Sequence, residues 1–157
     1  MSKKIIGVIG GRKVTYNLLA VAEEVGRLIA ERGFHMICGG LTGVMESASR
    51  GAKEAGGLTI GVLPHDDKSH VNQYIDVPIV TGMGIGRNVI IARTADALIA
   101  VGGEYGTLSE IAFSLQLGKP VIGIGSWDIK GIIKAADAND AVEKAAGSIL
   151  WDNNYNI

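Results

Sequence analysis

The stretch Ala97-Leu98-Ile99-Ala100-Val101-Gly102-Gly103-Glu104-Tyr105-Gly106-Thr107-Leu108-Ser109-Glu110 decides the fold. Its first five residues are apolar with no polar alternation, which suits a strand covered on both faces. A glycine pair ends the strand, and helical spacing takes over from Thr107 to Leu117. The same unit stands upstream, where Phe34 to Cys38 is followed by Gly39-Gly40 and a helix from Thr42 to about Ala55. It stands again at the start, where Lys4 to Gly10 leads into Gly11-Arg12-Lys13 and a helix carrying Leu18, Val25 and Ile29 to its stop at Gly33.

The remaining elements fit between these units. Leu58 to Leu63 and Val77 to Val80 read as strands separated by a polar loop over 65–75. A helix runs from about Gly86 to Thr94, and Pro120 to Ile124 is a further strand ending at Gly125. A weaker strand covers Ile132 to Ala136, and a last helix covers Asn139 to Ala146. Strands alternating with helices predict one α/β domain over 1–157, with 150–157 as a loose tail. Right-handed crossovers make it a Rossmann-like, doubly wound, mostly parallel sheet of six to seven strands with helices on both faces.

Composition narrows the function. Of the 157 residues 47% are hydrophobic and 20% charged, so a sizeable core is available and a disordered chain is excluded. The net charge of -1 opposes a nucleic-acid partner, since such domains are usually strongly basic. No apolar run approaches the ~18 residues of a membrane span, so no membrane partner is expected. The lone cysteine, Cys38, lies in an apolar strand and reads as a small core residue. The start is too short and too glycine-broken for a signal peptide, so a reduced, cytoplasmic setting is expected.

The chain holds 23 glycines against 3 prolines, about twice the usual share of ~7%. They gather after the carboxyl ends of the strands, the edge where open α/β sheets bind ligands. Bare backbone beside helix N-termini suits an anion. The alternative is that tight strand-to-helix turns simply want glycine. The first site candidates are Gly10, Gly11 and Arg12, then Gly39, Gly40, Thr42 and Gly43, then Gly102, Gly103, Gly106 and Thr107. Arg87, at the opening of a helix after Gly84-Ile85-Gly86, can reach an anion with two parallel bonds. Neither G-x-G-x-x-G nor a P-loop is present, which removes the dinucleotide and P-loop ATPase readings. His65-Asp66-Asp67 and His70 share a polar loop, but their spacing matches no strong ligand motif, and no metal is expected. Glu110 has two readings. Thr107 and Glu110 have the spacing of a capping box, and from spacing alone the cap is preferred; the sharper reading is a carboxylate at the floor of a cleft.

Gly39-Gly40-x-x-Gly43-x-Met45, Gly86-Arg87-Asn88 and Gly102-Gly103-x-x-Gly106-Thr107-x-x-Glu110 together resemble the SLOG superfamily over about residues 4–147. It contains the LOG proteins, often mislabelled lysine decarboxylases, and the molybdenum cofactor carrier proteins. LOG enzymes cleave a nucleoside 5′-monophosphate to base and ribose 5-phosphate through an oxocarbenium-like state. The resemblance implies that Glu110 is the catalytic glutamate, Arg87 the catalytic arginine, and Gly102, Gly103, Gly106 and Thr107 the phosphate loop. It implies a homodimer and hydrolysis without a required cofactor; nothing in the sequence supports lysine decarboxylation. Val101 stands where LOG enzymes have proline, Asn88 where they have lysine, and Glu104 adds a negative charge. These departures look more like the carriers, whose ligand is a pterin bearing a phosphate and an anionic metal group. The leading expectation is a LOG-like phosphoribohydrolase acting on a small phosphorylated ligand. The alternative is a protein that binds molybdenum cofactor without hydrolysing anything. A DNA-associated role, as in DNA-processing protein A of the same superfamily, is opposed by the net charge.

Overall fold

A computed structural model describes residues 2–152. The order along the chain is β1 (Ile5–Gly10), α1 (Tyr16–Glu31), β2 (His35–Cys38), α2 (Val44–Glu54), β3 (Thr59–Leu63), β4 (Val77–Val80), α3 (Asn88–Thr94), β5 (Ala97–Val101), α4 (Tyr105–Gln116), β6 (Val121–Ile124), β7 (Ile133–Lys134) and α5 (Ala138–Asp152). The seven strands form one sheet in the order β4-β3-β2-β1-β5-β6-β7, and every pairing is parallel. The chain winds outward from β1 to β4, then returns to lay β5 against the other side of β1, with Ile6 opposite Ala97 and Gly10 opposite Val101. The winding reverses between β1 and β5, the position at which a doubly wound sheet opens a crevice.

Strand alternation sorts the core into two layers. Ala97, Ile99 and Val101 of β5 face a cluster containing Ala22, Val25 and Ile29 of α1, Ala48 and Ala52 of α2, and Val142 of α5. Leu98 and Ala100 face the opposite layer with Ile91 of α3 and Ile111 of α4. Helices α1 and α2 cross with almost nothing between them. A Cβ on Gly26 would lie 1.9 Å from the Ala48 carbonyl oxygen, and one on Gly51 would lie 1.9 Å from that of Glu23. Thr15 starts α1, its hydroxyl accepting from the Leu18 amide at 3.4 Å.

Several element bounds differ from the sequence expectations. The helix expected from Gly86 begins as a single 3-10 turn, Gly84–Arg87, before α3. Helix α5 runs to Asp152, because the apolar face of Ala141, Val142 and Ala145 continues to the buried Ile149. Residues 150–152 of the expected loose tail are therefore helical, and 153–157 lie outside the described residues. Helix α4 begins at Tyr105, two positions before Thr107. Thr107 is thus inside the helix, and the capping-box reading of Thr107 and Glu110 fails. Glu104 precedes the first helical residue in an extended conformation and caps nothing with its side chain. No described helix is long and apolar enough to cross a membrane.

Candidate functional site

A cleft of about 510 Å³ opens at the carboxyl edge of the sheet. One wall is the turn after β1, from Gly10 to Lys13. Leu41 and Met45 come from the turn after β2 and the start of α2, and Pro64 follows β3. The segment from Gly84 to Asn88 forms another wall, and Glu104, Gly106, Thr107 and Glu110 close the floor from α4 and the turn before it. Five connections, from both sides of the winding reversal, therefore meet here.

Missing side chains let these loops approach one another. Gly43 has φ 73°, in the left-handed region, and a Cβ there would sit 2.4 Å from the Gly11 carbonyl oxygen. The Val44 amide donates to that same oxygen at 3.1 Å, so the turn after β1 is seated on the start of α2. A Cβ on Gly39 would fall 2.6 Å from Nη2 of Arg87. Glycine at 39 therefore makes room for the guanidinium.

Arg87 and Glu110 are each only 8% exposed. Arg87 Nε donates to the Val62 carbonyl at 2.9 Å, and Nη1 donates to Oδ1 of Asn88. Asn88, 1% exposed, in turn donates through Nδ2 to the Ser109 hydroxyl at 3.2 Å and to the Gly106 carbonyl at 3.4 Å. The guanidinium is thus anchored on β3 and tied through Asn88 to α4. Burial lowers the Arg87 pKa, opposed by the nearby Glu110 and Cys38 and assisted by Arg12. Burial pushes the Glu110 carboxyl up to about 8, with Arg87 pulling the other way. Among the described residues no ion pair within 4.0 Å joins the two. The acceptors around Arg87 are a carbonyl and an amide, and among the described residues the Glu110 carboxyl makes no hydrogen bond.

The structure gathers Gly10, Gly11, Arg12, Gly106, Thr107, Arg87 and Glu110 into this cleft. The other candidates stand behind it. Gly40 packs on Leu63, and its carbonyl accepts from the Asn72 amide at 2.9 Å. Thr42 is exposed and outside the lining. Gly102 is held in the sheet, donating to Ile124 and accepting from the Ser126 hydroxyl at 2.6 Å. Gly103, at φ 113°, leaves room for Thr107, whose side chain a Cβ would meet at 2.5 Å. Leu41 and Pro64 had no sequence signal of their own beyond lying near glycine-rich turns; Met45 and Asn88 stood in the quoted motifs, but nothing in those motifs pointed to Met45 as a cleft wall or to Asn88 as a bridge. Cys38 is fully buried against Ser49, and burial raises its thiol pKa, as suits a core residue. Arg93 is exposed. The rings of His65 and His70 stand 4.5 Å apart in a loop clipped to the fold by Asn72, whose Nδ2 donates to the Leu41 carbonyl at 2.8 Å.

Known proteins share this fold. The model of the SLOG cluster4 family matches residues 3–152. The molybdenum cofactor binding protein of the phototrophic bacterium Rippkaea orientalis is similar at a TM-score of 0.91 and 39% identity, over 95% of this chain and 99% of that one. The molybdenum cofactor carrier protein of Chlamydomonas reinhardtii is similar at 0.87 and 40%, over 94% and 99%. The cytokinin riboside 5′-monophosphate phosphoribohydrolase LOG of Oryza sativa subsp. japonica is 38% identical over 112 residues, 67% of this chain but 44% of the rice enzyme. The chain thus spans less than half the length of that enzyme.

Proposed function

The chain belongs to the SLOG cluster4 family, and from that premise we propose that its cleft binds a small anionic, phosphorylated ligand of the molybdenum cofactor type. The observation that carries this reading is unmet positive charge. Arg12 and Lys13 from one loop and Arg87 from another face one cavity, beside the exposed start of α4. Cations on two separate walls suit a ligand with two anionic ends, such as a pterin bearing a phosphate and an anionic metal group. Arg87, held at Nε and Nη1, presents its remaining donors in a fixed orientation. The near end-to-end likeness to the two cofactor-binding proteins supports this ligand over the nucleotide that the sequence ranked first. The experiment is purification, without oxygen, from cells that make the cofactor. Stoichiometric molybdenum with pterin fluorescence after oxidation is the expected result. Tight binding of nucleoside monophosphates with no cofactor uptake overturns the reading.

Glu110 favours a second reading. A buried carboxylate beside an arginine at the floor of a phosphate cleft can stabilise an oxocarbenium-like state once ionised. Hydrolysis of this kind would need no cofactor, and its rate would rise with pH as Glu110 loses its proton. Incubation with AMP and cytokinin riboside monophosphates tests it. No free base after long incubation at high protein concentration removes it. The homodimer and the cytoplasmic setting rest on family resemblance and on composition; light scattering on the purified chain tests the first.

A further inference from the structure

Glu110 presents a chemical puzzle. A carboxyl able to accept from two donors lies near a guanidinium, yet the guanidinium is turned to neutral acceptors, Val62 O and Asn88 Oδ1. Among the described residues no donor is hydrogen-bonded to the Glu110 oxygens, although the residue is only 8% exposed. An ionised carboxylate so placed would be a nearly buried charge opening into the cleft with no protein donor among the described residues, in a cleft read as taking anions; a carboxylic acid has a proton to give. We propose that Glu110 serves the cleft as an uncharged hydrogen-bond donor to the bound oxyanion, holding the ligand while it keeps its proton and expelling it on ionisation. This rests on the anion-binding reading of the cleft and adds to it a role for Glu110 and a means of release.

Burial favours the protonated form at neutral pH, since the carboxyl is pushed up to about 8. The groups that bear on it are Arg87 from the turn after β4 and Cys38 at the end of β2, and the charged groups that line the same cleft are Arg12 and Lys13 after β1 and Glu104 before α4. Glu110→Gln removes the titrating group and leaves the others in place. Its amide keeps a donor of nearly the same shape.

The test uses sulfate, whose charge is constant across the range, titrated by calorimetry at about pH 7 and about pH 9. Wild-type affinity is expected to fall about tenfold between the two, while Glu110→Gln changes less than about twofold. A second measurement does not depend on the variant. Wild-type binding at about pH 8.5, run in two buffers of different ionisation enthalpy, is expected to take up a fraction of a proton. Equal wild-type affinity at both pH values, or proton release on binding, overturns the role of Glu110. A tenfold fall that persists in a folded Glu110→Gln protein assigns the effect to another group and also overturns it. A folded wild type that binds neither sulfate nor a nucleoside monophosphate at either pH overturns instead the reading of the cleft beneath it.

Discussion

Two hollows of similar size differ in what their charges are doing. The cleft at the sheet edge measures about 510 Å³, and a groove where α1 meets α2 measures about 460 Å³. The groove is lined by Glu23, Glu24, Glu31 and Glu54 around Arg27. Its charges are largely answered at home, with Arg27 paired to Glu24 and Glu31, and Glu23 paired to Arg50. The hydrogen bond from Arg27 holds the Glu24 carboxyl below its ordinary range. In the cleft, Arg12 and Lys13 enter no ion pair among the described residues, and neither does Glu110. Volume alone would rank these hollows together. Unanswered charge, converging from separate loops, is what marks out the cleft as the proposed receiving site against a solvated seam between helices.

The sharpest contrast is expected from pH and stability. Unfolded, Glu110 titrates near 4.5; folded, it holds its proton to about 8. Below the lower value both states are protonated and nothing is lost. Between the two, the unfolded chain ionises and the folded chain does not, so stability falls as pH rises and levels off above the higher value. Glu110→Gln removes that loss, and chemical denaturation at about pH 8.5 should find it more stable than wild type by on the order of a few kcal/mol. A denaturation midpoint for wild type that does not move between about pH 5 and 8.5 would break the contrast. Next, Arg87→Ala should weaken sulfate or nucleoside monophosphate binding about ten- to hundredfold, as expected for losing charge-assisted bonds, measured by calorimetry. Gly26→Ala should cost about 2 kcal/mol in urea denaturation, because its methyl group must displace the α2 backbone, and should leave anion binding intact. Smallest of all, Arg27→Ala in the acidic groove should shift the melting temperature little and anion binding not at all, because exposed ion pairs contribute little. Loss of anion binding in Arg27→Ala would erase the distinction between the two hollows.

Much of this was legible in the residues. Continuous apolar runs such as Ala97 to Val101 announced strands buried on both faces, and glycine pairs marked the edge where the cleft opens. What stayed hidden was local phase and distant partnership. Thr107 and Glu110 have capping-box chemistry, but the helix starts at Tyr105, after Gly103 and an extended Glu104, and that shift turns Glu110 from a cap into the cleft floor. Asn88 offered no pattern, because its partners lie on α4 and its importance depends on the Arg87 rotamer beside it. Gly39, Gly43 and Gly103 were singled out as ligand contacts, yet what their missing side chains do is give room to Arg87, to the turn after β1 and to Thr107, and none of them lines the cavity. Turn glycines look alike in sequence whether they face a ligand or a neighbouring loop.

The pairing of β1 with β5 carries a consequence for biosynthesis. On the ribosome, Gly10 to Lys13 emerge early, while Glu110 follows only after most of the chain has been made. Until β5 docks, β1 lacks one flank and the cleft has no floor. On the proposed reading of the cleft, nascent fragments are therefore blind to the ligand, and a ligand supplied during translation would reward only chains that have already closed the sheet.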